Sequence, residues 1–167
     1  MIPLPADSEW SPIIKDKYYI NHNGQIWNGK KYMKPWIHNG YYELTLQIDA
    51  KKKHFPIHIL LARSFIANPL NKPCVDHING NKLDNRLENL RWATYNENQF
   101  NRQVTASECG YKGVCLTNTG KYISKVCYKG KHFYLGSYDD PKTAHDAYCE
   151  KAKELHGEFH NPGTITL

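Results

Sequence analysis

Residues 9 to 50 alternate aromatic or aliphatic side chains with polar ones, as in KYYINHNGQIWNGKKYMKPWIHNGYYELTLQI. A period of two predicts strands with one buried face. Asn23-Gly24, Asn28-Gly29 and Asn39-Gly40 interrupt the run where tight hairpin turns need left-handed backbone. The region therefore reads as a small antiparallel sheet. In HILLARSFIANP the period becomes helical: from His58, residues Ile59, Leu60, Ala62, Phe65 and Ile66 keep one register, and Pro69 is the expected stop. This helix should cover one side of the segment that follows it.

That segment, VDHINGNKLDNRLENLRWATYNENQ, is dense in asparagine. VDHI suits a strand, Asn79-Gly80 a turn and ENLRW a second short strand. Thr94 and Glu97 have the spacing of a capping box, which predicts a helix from about Tyr95 to Arg102. Residues 103–110, QVTASECG, read as a linker. Three strand-like runs follow, KGVCLT, KYISKVCY and KHFYLGSY, with NTG and KGK as turns. In the last helical stretch Asp140 can cap, Pro141 fits the first turn, Lys153 and His156 suit the negative end, and Gly157 can stop the helix. Its inward stripe is expected to be Ala144, Ala147, Tyr148, Ala152 and Leu155. The fold class is thus α+β, with domains at 1–102 and 111–162, a linker at 103–110 and a tail at 163–167.

Composition narrows the partners. In 167 residues, 22 Lys and Arg oppose 16 Asp and Glu, and there are 12 Tyr. Cations displace phosphate counterions and aromatic and amide groups meet bases, so nucleic acid is the favoured partner class. The start MIPLPADSEW lacks a basic leader with an apolar run, and no stretch approaches the roughly 20 apolar residues of a span. An intracellular protein without a membrane partner is expected. Cys74, Cys109, Cys115, Cys127 and Cys149 form no CxxC pair, which predicts reduced thiols and no structural zinc.

The Asp76 segment holds the residue types that phosphodiester hydrolysis needs. His77 can act as a base near neutral pH, Asp76 offers a hard oxygen to Mg²⁺, the carbonyl oxygen of Asn98 could complete a metal site, and Asn89 could orient His77. The alternative is structural: the asparagines are turn residues and His77 is a surface imidazole.

The pattern D-H-x-x-G-N-x-x-D-N-R-x-x-N-L-R-W-x-T-x-x-x-N, read from Asp76 to Asn98, resembles the HNH endonuclease family of phage and intron homing enzymes. The His-led helix before it looks similar to the one that precedes the motif there. The resemblance implies a ββα-metal core with one Mg²⁺ or Mn²⁺, His77 as general base, Asp76 and Asn98 as metal ligands, and Asn89 positioning the base. EWSPIIKDKYYINHNGQIW looks like the segment ahead of the nuclease core in such enzymes, where it contributes to DNA contact. Residues 111–162, with YKGV, GKY and LGSYD before an alanine-rich helix, resemble the APETALA2/ethylene-response-factor DNA-binding domain. That likeness implies a sheet lying in the major groove, with Lys112, Gly113, Cys115, His132 and Tyr134 facing DNA. Alternation along the middle strand adds Lys121, Lys125 and Cys127 to that face. The expected activity is metal-dependent cleavage of double-stranded DNA to 5′-phosphate and 3′-hydroxyl ends, with no obligate protein partner. The alternatives are a non-catalytic DNA-binding regulator with a degenerate core, and an RNA-binding module built on the Tyr-rich sheet.

Overall fold

β1 (Trp10–Ile13), β2 (Tyr18–Asn21) and β3 (Ile26–Trp27) pair antiparallel in the order β1-β2-β3. The computed structural model describes residues 4–5, 9–14, 17–103 and 109–163. Most of the expected linker, 104–108, and of the expected tail, 164–167, lie outside them. The turn after β2 is made by Asn21, whose buried Oδ1 accepts the N–H groups of Asn23 and Gln25. Gly24 follows at φ +74, and a Cβ there would stand 3.0 Å from the Ile57 side chain. Positive φ and close approach together require glycine.

Where alternation predicts one sheet across residues 9–50, the structure forms two. The second joins β4 (Trp36–His38), β5 (Tyr41–Ile48) and β6 (Lys51–Pro56), with β5 central. β6 escaped the pattern because its sequence, KKKHFP, has four exposed residues before any that are half-buried. Its strand identity comes from pairing with β5, reached through Asp49 and Ala50 at φ +47 and +63.

α1 (Ile57–Phe65) is shorter than the expected run to Pro69. Ile66 is already extended, and its carbonyl accepts a hydrogen bond from Trp92 Nε1 at 2.9 Å. Asn68 then closes the loop on the backbone of Lys72 at 2.8 and 2.9 Å. β7 (Cys74–His77) and β8 (Leu90–Ala93) form an antiparallel pair that sets Asp76 opposite Arg91 and His77 opposite Leu90. Residues Leu87–Asn89 make a 3₁₀ turn ahead of β8. One core holds these pieces together: Leu60, Leu61 and Ala62 of α1 pack with Ile20, Ile26, Leu44, Leu46, Val75 and Leu90. The helix is the hub on which both sheets and the β7-β8 pair are hung.

The chain divides between Thr94 and Tyr95 into two compact units. The second begins with α2 (Tyr95–Phe100), which ends before the expected Arg102; Lys112 Nζ donates to the carbonyls of Phe100 and Arg102 at that end. β9 (Val114–Leu116), β10 (Tyr122–Tyr128) and β11 (Lys131–Tyr138) follow as a meander, order β11-β10-β9, and α3 (Pro141–His156) covers one face. Asp140 caps α3 through Thr143 N–H at 2.7 Å, with Pro141 in the first turn and Gly157 at its end. Ala144, Tyr148 and Ala152 are buried as the stripe predicts, whereas Ala147 and Leu155 are half-buried and His145 and His156 lie inside. The histidines turn inward because the backbone offers acceptors: His145 Nδ1 reaches the Lys112 carbonyl at 2.9 Å and His156 Nε2 that of Cys127 at 3.2 Å. His156 also stacks on Phe100, with ring centroids 3.8 Å apart. Among the described residues no helix is long and apolar enough to cross a membrane.

Candidate active site

Asp76 and His77 end β7, and both are buried, at 4% and 5% exposure. Burying a carboxylate is costly unless it is paired. Arg91, directly across the ladder, supplies the pairing: its Nε and Nη2 both donate to Asp76 Oδ2 at 2.8 Å. His77 Nε2 lies 3.0 Å from Asn85 Oδ1. An amide oxygen only accepts, so Nε2 carries the ring proton and Nδ1 is the unprotonated nitrogen.

Asn89 works differently from the role expected of it. Its Nδ2 donates to Asn79 Oδ1 at 3.0 Å and to the Asp84 carbonyl at 2.7 Å, while its Oδ1 accepts the Asn79 N–H at 3.0 Å. It therefore pins the loop between β7 and β8, and that loop carries Asn85 to the His77 ring. Within the motif Asn85 looked like one more turn residue, and nothing local distinguished it from its neighbours. Arg86 donates to both Asp84 oxygens at 2.8 Å and holds that carboxyl well below the usual carboxylate range.

A second residue was missed altogether. His58, in the first turn of α1, stacks on Tyr41 with ring centroids 4.9 Å apart and lies 4.9 Å from the His77 ring. Lys82 Nζ covers the Tyr41 ring at 4.6 Å. Burial, and then the neighbouring His77, push His58 down to about 4. A histidine harder to protonate when folded contributes stability above its ordinary pKa of 6.5, and that stability is lost as pH falls toward 4. Wild type should lose about 3 kcal/mol more than His58→Phe across this window, followed by urea unfolding of the first unit. Equal acid sensitivity in both proteins would rule out this source.

The first unit thus brings Asp76, His77 and Asn89 together, whereas Asn98 is an exposed residue of α2 in the second unit. Among the described residues no three His, Cys, Asp or Glu side chains cluster as a metal cage. The Asp76 carboxylate is the hard oxygen donor of this set, the type of ligand a divalent ion such as Mg²⁺ takes.

The profile of the HNH endonuclease family matches residues 68–100, the stretch that contains β7, β8 and α2. The chain is similar to HNH endonuclease L245 of Acanthamoeba polyphaga mimivirus, at 40% identity over 54% of this chain and 28% of that protein. It is similar to Protein 3.8 of Escherichia phage T7, at 33% identity over 51% of this chain and 71% of that protein. Its fold is similar to the solved structure described as DNA binding and cleavage by the HNH homing endonuclease I-HmuI, with a TM-score of 0.52, 28% identity, and coverage of 86% and 82% of the two chains. The chain belongs to the HNH endonuclease family. It spans less than a third of the mimivirus relative's length.

Beyond its motif, this HNH protein carries a second set of expected contacts on the C-terminal sheet. Strand register pairs Lys125 with Tyr134, Cys127 with His132 and Ile123 with Cys115. Lys125, Cys127, His132, Tyr134 and Cys115 are exposed, while Ser124 and Val126 are buried on the side that α3 covers. Lys121 is exposed and forms an ion pair with Asp139. Two expected contacts are corrected. Lys112 Nζ donates to the carbonyls of Phe100, Arg102 and Asn161 at 2.8, 3.0 and 2.8 Å, and burial lowers the ammonium to about 8. Its charge is spent on carbonyl ends inside the unit. Gly113 has φ +76, and a Cβ there would sit 2.0 Å from the Tyr148 ring, so it is a packing position.

Proposed function

We propose that the chain is a metal-dependent DNA endonuclease of the homing type, hydrolysing phosphodiester bonds in duplex DNA to 5′-phosphate and 3′-hydroxyl ends. One observation carries this reading: the His77 ring is oriented through Nε2 by Asn85, which makes Nδ1 the basic nitrogen, and its neighbour is a buried carboxylate. His77 Nδ1 takes the proton of the attacking water. Asn85 keeps the tautomer, and Asn89 keeps Asn85 in place by fixing the loop. Asp76 would hold one Mg²⁺ or Mn²⁺, which when bound supplies charge stabilisation at the scissile phosphate. The likeness to an HNH homing endonuclease whose solved structure is described by DNA binding and cleavage supports DNA as the substrate.

In this reading residues 1–102 cut, and residues 111–162 hold the target as an APETALA2-like sheet. Lys125, beside Tyr134 on the exposed face, is suited to a phosphate, with Cys115, Cys127 and His132 around it. Lys125→Ala should reduce the slope of log affinity against log salt by about one. Lys121 already has Asp139, so Lys121→Ala should change the slope less. An unaltered slope in Lys125→Ala would remove that face from the interface.

Incubation of a supercoiled plasmid with the protein and Mg²⁺ tests the activity. Nicked or linear products with 5′-phosphate ends, abolished by EDTA, are expected. Plasmid binding in a gel shift without any cleavage would leave a DNA-binding regulator instead.

A further inference from the structure

His58 is a buried titratable side chain against the His77 ring to which the mechanism gives no task. Only 7% of its surface is exposed, and it is wedged between the rings of Tyr41 and His77. Filling that space does not require nitrogens: a phenylalanine would do so without desolvating polar atoms. His58 Nδ1 is sealed from solvent and has no hydrogen-bond partner, a description that does not extend to Nε2. This decides where the ring proton sits. A buried N–H without an acceptor is among the rarest arrangements in proteins, whereas an under-used acceptor is tolerated more often. Nδ1 is therefore the bare nitrogen, and Nε2 carries the hydrogen. The low pKa keeps a second proton off the ring at neutral pH.

We infer that His58 is a further substrate-contacting residue, its neutral Nε2–H donating to a non-bridging oxygen of the DNA phosphate that His77 addresses. The inference rests on the endonuclease reading above. Phosphodiester oxygens accept hydrogen bonds and gain negative charge as water adds to phosphorus, so a fixed donor beside the base strengthens its bond in the transition state. A neutral donor does this without placing a cation beside the base that must take up the water's proton. The effect belongs in the cleavage rate and not in DNA affinity.

Two nearly isosteric variants isolate the donor. His58→Gln keeps an N–H near the Nε2 position, and His58→Met does not. In single-turnover cleavage of supercoiled plasmid with Mg²⁺, the Gln variant should stay within about fivefold of wild type and the Met variant should be slower by about 100-fold, with equal plasmid affinity. Nitrogen-15 NMR of the wild-type ring should show a neutral imidazole protonated at Nε2, a readout independent of how the variants fold. Equal rates for Gln and Met, or a proton on Nδ1, would overturn the assignment. If wild type cuts, His77→Ala does not, and Gln equals Met, the endonuclease reading stands and His58 is only packing. A wild type that never cuts removes both.

Discussion

His77→Ala should lower the Mg²⁺-supported cleavage rate by about 10² to 10⁴, the range in which a positioned general base contributes. The fold should survive, because His77 closes a strand end and the apolar core beneath it is built from Leu60, Leu61, Val75 and Leu90. DNA affinity should stay within about twofold, since the lost group acts on water and not on the resting phosphate. Asn85→Ala should fall between wild type and His77→Ala: it leaves the imidazole in place but removes the acceptor 3.0 Å from Nε2 that selects the tautomer. Single-turnover rates and gel-shift affinities on one plasmid separate these effects. A His77→Ala protein that cleaves at the wild-type rate would remove His77 as the base.

The largest expected loss of stability follows Arg91→Leu. The Asp76 side chain is 5% exposed and that of Arg91 15%, so the ion pair across β7 and β8 is largely out of water. Removing one partner of a buried pair costs about 3–5 kcal/mol, because the remaining charge keeps its desolvation penalty. With native domains stable by only about 5–15 kcal/mol, much of the first unit's stability would go. Urea unfolding measures the loss, and Arg91→Leu combined with Asp76→Asn should recover part of it by removing the stranded charge. A loss below about 1 kcal/mol in the single variant would mean that Asp76 is compensated by other groups.

Local signals in the chain reached as far as their physical range allows. Asn-Gly turns, the Pro141 start of α3, its Asp140 cap and the alternation along β10 are settled by neighbours in sequence, and each appears in the structure. β6 and the early end of α1 were not legible, because a lysine-rich strand has no apolar face to announce it and because Trp92, distant in sequence, takes the Ile66 carbonyl.

For the site, the motif from Asp76 to Asn98 was legible as a set of residues, and it places this chain in the HNH endonuclease family. Their division of labour was not. Asn89 and Asn85 are chemically identical amides in one loop, and only the folded loop shows that Asn89 ties the backbone while Asn85 meets the imidazole. Lys112 carried the right charge for a phosphate, yet three carbonyls enclose it. By itself, the sequence determined the residue chemistry and the short-range geometry, since turn, cap and period energies depend on adjacent positions. The tertiary structure alone decided which polar groups are buried, paired or stacked, as with His58 on His77 and Arg91 on Asp76, because those energies arise from groups that only the core brings together.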